Sequence, residues 1–193
     1  VLFCAIEGKD FTTIPGGTNT IRNGDMVSIL ATPQNAAAFF KKIGLKTHQV
    51  KNAIIVGGGT ISYYLTKALL AMKIKVKVIE KDKNRCEFLS EELVDATIIN
   101  GDGTDEDLLE EEGIDSIESF VPLTGIDEEN ILLTLHAKQI SKAKVITKIN
   151  RMNFKDVISR LDLGSVVYPR YIISETIVAY VRAKKDSMGS NIE

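Results

Sequence analysis

From Ala53 onward, apolar runs of three to five residues alternate with longer stretches in which apolar and polar positions recur at helical spacing. The runs Ala53 to Val56, Val76 to Ile79, Thr97 to Ile99, Ser119 to Leu123, Lys144 to Thr147 and Ser165 to Val167 read as strands. Helical patterns fall between and after them: Ser62 to Met72, Lys83 to Glu92, Glu106 to Glu111, Asp127 to Ile140, Asn153 to Leu161 and Ile172 to Ala183. Strands that are apolar throughout, rather than alternating, are those covered on both faces. The pattern therefore predicts an α/β fold, a doubly wound parallel Rossmann-like sheet. Its ligand crevice should lie beyond the carboxyl ends of the strands, where Gly57, Glu80, Gly101 and Leu123 fall.

Residues 1–32 have a different texture. Short apolar runs are punctuated by Gly8, Pro15-Gly16-Gly17 and Asn23-Gly24, which suits three or four short antiparallel strands. Residues 33–50 then predict a short helix and a connection, with Gly44 as the helix terminator. Thirty residues bury little surface, so residues 1–45 are expected to be the carboxy-terminal part of a preceding small β-rich domain plus a linker. Residues 51–183 form the main domain in this reading, and residues 184–193 a flexible terminus.

Composition narrows the function classes. The chain has 193 residues, 44% hydrophobic, with a formal charge of −2. That balance offers no electrostatic case for nucleic-acid binding. No apolar stretch approaches the roughly 20 residues of a membrane span. The two cysteines, Cys4 and Cys86, make neither a disulfide framework nor a metal cluster, which points to a reducing cytoplasmic compartment.

The chemistry concentrates in residues 51–81. Gly57 suits a tight turn after the first strand, and Gly59 lets a pyrophosphate approach the backbone. The helix beginning near Thr60 or Ile61 aims free N–H groups at the anion. Ser62 replaces the third glycine of the usual fingerprint and is small enough for close helix packing. Glu80, 23 residues after Gly57, can accept both ribose hydroxyls and would repel a 2′-phosphate, favouring NAD over NADP. It could instead neighbour a helix cap, although Asp82 is available for that role. Lys81 and Arg85 can touch a phosphate or an adenine face, or stand as solvated cations beside a helix.

Later strands add further candidates. Asp102, in the loop Asn100-Gly101-Asp102-Gly103-Thr104, could form a polar floor for adenine and ribose, or belong to an ordinary loop before an acidic helix. Six of residues 105–112 are acidic and read as a solvated face rather than a metal site. Thr124 and Gly125 lie where the fourth strand would meet a pyrophosphate or second ribose, and Pro122 belongs at the strand's last position, beyond the ladder. Asp127 is expected to cap the following helix. Glu128 and Glu129 are favourably placed in that helix's first turn; Glu128 could instead read the ligand's distal group or hold a divalent cation at its phosphates. Proton-transfer groups are sparse: His48 precedes the fold, and His136 reads as a helix-surface or packing residue rather than a base. No catalytic residue and no metal ligand are assigned, and a redox enzyme is the weaker alternative, as an NAD-dependent oxidoreductase fragment lacking its substrate domain.

The segments GGGTIS, VIEKDKNRCEFLSEEL, GDGTDEDLLEEEGI and LTGIDEENILLTLHAKQ together resemble the potassium-conductance regulatory domains, especially the cytoplasmic nucleotide-binding subunits of bacterial Trk-type potassium uptake systems. FTTIPGGTNTIRNGDMVSIL resembles the close of that family's small domain. The resemblance implies a regulatory subunit that binds NAD or NADH, or ATP or ADP. It implies dimers or larger rings seated on a membrane-embedded potassium transporter at the inner face of the cell membrane. By resemblance, Gly57, Gly59, Thr60 and Ile61 contact phosphates and Glu80 holds the ribose. Asp102 and Thr104 line the adenine side, and Leu123 and Thr124 flank the pyrophosphate. Ser62, Gly103 and Pro122 depart from the commoner pattern. VVYPRYIISETIVAYVRAK resembles the family's crossover helix, which packs on a neighbouring subunit; the alternative is that its apolar face covers its own sheet.

Overall fold

The computed structural model describes residues 1–45, 49–151 and 155–189; His48 and the start of the expected helix at Asn153 lie outside them. The chain divides into two compact units, Val1–Gln49 and Val50–Glu193.

The first unit is a three-stranded antiparallel sheet, β1 (Leu2–Glu7), β2 (Thr12–Thr13) and β3 (Met26–Leu30), in the order β2-β1-β3. Its register shifts between Phe3 and Ala5. Helix α1 (Pro33–Lys42) follows, with the Thr32 hydroxyl accepting the Asn35 N–H at its start. Gly44, at φ +75°, lies just past its end. Phe39 of α1 meets Phe3 edge-on at 5.7 Å.

The second unit contains β4 (Asn52–Val56), α2 (Thr60–Ala71), β5 (Lys75–Glu80), α3 (Lys83–Glu92), β6 (Thr97–Asn100), α4 (Glu106–Glu111), β7 (Ser119–Pro122), α5 (Asp127–Ile140), β8 (Lys144–Lys148), α6 (Lys155–Ile158), β9 (Ser165–Val167) and α7 (Pro169–Gly189). The strands form one sheet in the order β6-β5-β4-β7-β8-β9, with every neighbouring pair parallel. This is the doubly wound, Rossmann-like arrangement, and its order reverses at β4.

Strand β4 is apolar throughout because both its faces are covered. Ile54 and Val56 join one core cluster with Ile79, Phe120 and Leu133. Ile55 points the other way, into a second cluster with Val78, Leu89 and Val121. Phe120 is fully buried, and its truncation to alanine would cost about 3–5 kcal/mol. Pro122 ends β7 opposite Val56. The β7–β8 register covers only Ser119–Lys144 and Phe120–Val145, so the proline, which has no N–H, lies where that pairing has ended. Helix α7 continues to Gly189, past the Ala183 at which the sequence pattern ends.

Candidate functional site

The turn after β4 is shaped by three glycines in three different ways. Gly57 has φ +98°, and a Cβ there would stand 3.0 Å from the Leu123 carbonyl oxygen, so both conformation and space require glycine. At Gly58 a Cβ would come within 2.6 Å of Leu89 Cδ1 and 3.0 Å of Glu80 Cγ. Gly59, at the N-cap of α2, has ordinary φ and open space where a Cβ would be. No side chain caps α2 there, so its first-turn N–H groups have no capping partner from Gly59.

Glu80 closes this turn from the next strand. Its Oε2 accepts the Gly58 N–H at 2.5 Å, and its Oε1 accepts the Asp82 N–H at 2.8 Å. Each carboxylate oxygen keeps a lone pair for another donor. Asp82 caps α3 by accepting the Arg85 N–H. Arg85 does not point outward as a solvated cation: its Nε donates to the Gly58 carbonyl at 2.6 Å, and its guanidinium lies over the Phe88 ring. The glycine turn is thereby held from two sides.

The opposite wall is organised by buried polar groups on the first two turns of α5. Asn130, fully buried, accepts the Thr124 N–H at 2.9 Å and donates to the Thr124 and Lys148 carbonyls. Asp127 was expected to cap α5, but the N-cap position is Ile126 and the Asp127 carboxylate turns to β8. It accepts the backbone N–H groups of Asn150 and Arg151, each at 2.9 Å, and the Asn150 side-chain amide. Burial opposes its ionisation, and these hydrogen bonds outweigh burial, holding its pKa below the ordinary carboxylate value. One turn further on, the Thr134 and Thr147 hydroxyls meet at 2.7 Å.

Between these walls, at the carboxyl ends of the strands, lies a cavity of about 420 Å³. Gly57, Gly59, Glu80, Lys81, Asp102, Thr104, Leu123 and Thr124 all line it. Asp102 accepts both the backbone N–H and the hydroxyl of Thr104, which lower its pKa. Thr60, Ile61, Arg85 and Glu128 do not line the cavity. Thr60 and Ile61 form the exposed start of α2, and Glu128 pairs with Arg151 at 2.5 Å beside a separate 220 Å³ pocket. Glu129 and Lys148 also line the main cavity; the sequence marks Glu129 only as a first-turn acid and Asn130 only as part of the motif entering α5, and assigns no role to Gly58 or Lys148.

His136 lies on α5 with Nδ1 4.0 Å from Glu106, beside a different pocket. Glu106, Asp107, Glu110 and Glu111 of the acidic run are exposed. Among the described residues no group of three or more histidine, cysteine or acidic side chains could hold a metal ion, and no helix is long and apolar enough to cross a membrane.

Residues 53–169 match the TrkA-N domain family. The Trk system potassium uptake protein TrkA of Haemophilus influenzae is 30% identical over 168 residues, which cover 87% of this chain and 36% of that protein. The chain thus spans little more than a third of that relative's length. Among solved structures, the GsuK RCK domain superposes with a TM-score of 0.66 at 18% identity, covering 98% of this chain and 40% of that one. The GsuK channel bound to NAD gives 0.52 at 18% identity, over 69% of this chain and 25% of that one. At such identities the structures speak to the fold alone. The family match covers more than half of the chain and includes the glycine turn, the Glu80 strand end and the Thr124 loop, so this chain belongs to the TrkA-N domain family.

Proposed function

We propose that the chain is a nucleotide-sensing regulatory module of a membrane potassium transporter or channel, binding NAD(H) or an adenine nucleotide in the cavity at the strand ends. The observation that carries this reading is the Glu80–Gly58 bond at the mouth of the glycine turn. It holds a carboxylate with spare acceptor capacity for ribose hydroxyls next to a helix start where Gly59 leaves space for phosphates. Among the described residues the cavity lining includes no histidine, tyrosine or cysteine to exchange a proton with a carbonyl substrate, which favours sensing over turnover. The Haemophilus relative's name and the NAD-bound GsuK channel point the same way.

In this reading Glu80 orients the ribose, while Gly57, Gly59 and the Thr124 loop receive the phosphates. The carboxylate would repel a 2′-phosphate, so NAD is preferred to NADP. A bound nucleotide acts by favouring one of two arrangements of a homo-oligomer, a dimer or larger ring, at the inner face of the membrane. Helix α7 supplies a surface for such assembly: Ile173, Ile177 and Tyr180 recur at helical spacing and are exposed.

Calorimetric titration with NAD, NADH, NADP, ATP and ADP, followed by mass measurement of each complex, tests the proposal. Saturable binding that disfavours NADP, with a ligand-dependent change in assembly, is expected. Failure of all five ligands to bind would overturn it. Redox turnover of a small substrate would favour an NAD-dependent oxidoreductase fragment instead.

A further inference from the structure

Lys148, at the end of β8, lines the cavity yet is only 9% exposed. Its Nζ donates to the Leu123 carbonyl at 3.3 Å. An ammonium has three donors, and this is the one hydrogen bond that its Nζ makes to the described residues. Burial pushes its pKa down, and the charge of Asp127 partly opposes that shift. Asp127 is no direct partner, because its oxygens are engaged by Asn150 and Arg151.

Buried charges are normally paired, and a neutral carbonyl is a poor counterpart for an ammonium. Nor is the lysine needed to join β7 to β8. Asn130 already does so, through the carbonyls of Thr124 and Lys148. Among the charged side chains of the cavity, Glu80, Asp102 and Glu129 are acidic, and the second cation, Lys81, is exposed to water. An anion entering between them would find its one desolvated positive partner at Lys148.

We propose that Lys148 is a phosphate-holding residue, its ammonium taking an oxygen of the bound nucleotide's phosphate chain and making the site favour ligands that carry phosphate charge. The inference rests on the nucleotide reading of this cavity.

The test is calorimetric titration of the full chain with adenosine and ADP, on the wild type, Lys148→Met and Lys148→Gln, with circular dichroism melts to establish folding. The wild type is expected to bind ADP at least about tenfold more tightly than adenosine, as a charge-assisted hydrogen bond would provide. Both variants are expected to lose about tenfold or more in ADP affinity while adenosine changes by less than about threefold. ADP affinity unchanged in the variants, or an equal fall for adenosine and ADP, would overturn the assignment by showing no specific phosphate contact. Should neither variant fold, the wild type decides alone. Equal affinity for the two ligands removes the role of Lys148 but leaves the cavity a nucleoside site, whereas binding of neither removes the nucleotide reading as well.

Discussion

The backbone N–H of Gly58 donates to Oε2 of Glu80 over 2.5 Å, joining the turn after the first strand of the parallel sheet to the acid at the end of the second. The same glycine accepts from Arg85 through its carbonyl. The position of the carboxylate and the path of the turn are therefore one structural fact. Any side chain at Gly58 has to displace Leu89 or Glu80.

Gly58→Ala follows directly from that crowding. A Cβ 2.6 Å from Leu89 Cδ1 is overpacking, expected to destabilise the fold by about 1–3 kcal/mol. Because relief comes partly by moving Glu80, nucleotide affinity should fall as well. Urea unfolding and calorimetry on the same preparation check both effects, and a variant with wild-type stability would show that Leu89 yields without cost.

Gly59→Val separates binding from folding. The position has ordinary φ and open space, so the variant should melt within about 4 °C of wild type. The added methyl groups occupy the approach to the start of α2, so affinity for NAD and ADP should fall at least about tenfold. Normal affinity would place the phosphates somewhere other than this turn.

Glu80→Ala addresses discrimination between dinucleotides. Loss of the carboxylate removes both a ribose acceptor and the charge that opposes a 2′-phosphate. NAD affinity is expected to drop by about tenfold while NADP affinity holds or rises, so that the two ligands converge. Competition titrations read the ratio, and an unchanged ratio would reject Glu80 as the ribose-reading group.

What the sequence discloses about this site is what local pattern controls. The run Ala53 to Val56 announces a doubly covered strand, Gly57 follows it at the tight turn, and Glu80 ends the next strand. Those features need only strand order to meet in one crevice. Gly58 was hidden between two glycines with recognised roles, because its constraint comes from Leu89, thirty-one residues later in the sequence. Arg85 and Glu128 look like charges available to a ligand until their partners, the Gly58 carbonyl and Arg151, are brought to them by the fold. Lys148 had a faint signal, a cation closing the run Val145 to Thr147, but its burial and its bond to the Leu123 carbonyl are set by the fold, twenty-five residues away in the sequence.

Asp127 supplies the pH-dependent prediction. Its carboxyl is 6% exposed and accepts the N–H groups of Asn150 and Arg151, tying the start of α5 to the end of β8. Burial resists its ionisation, but the hydrogen bonds prevail and its folded-state pKa lies below the ordinary aspartate value. Between the folded and unfolded pKa values the unfolded chain binds more protons, so stability rises with pH across that window. The contribution is fully present above the unfolded value and is lost as pH falls through the folded one. Asp127→Asn turns an amide N–H toward donors on one side and should cost about 1–3 kcal/mol at neutral pH. It also removes the titration, so its urea midpoint should decline less between about pH 5 and pH 3 than that of wild type. Parallel decline of the two proteins would show that other carboxylates govern the acid limb.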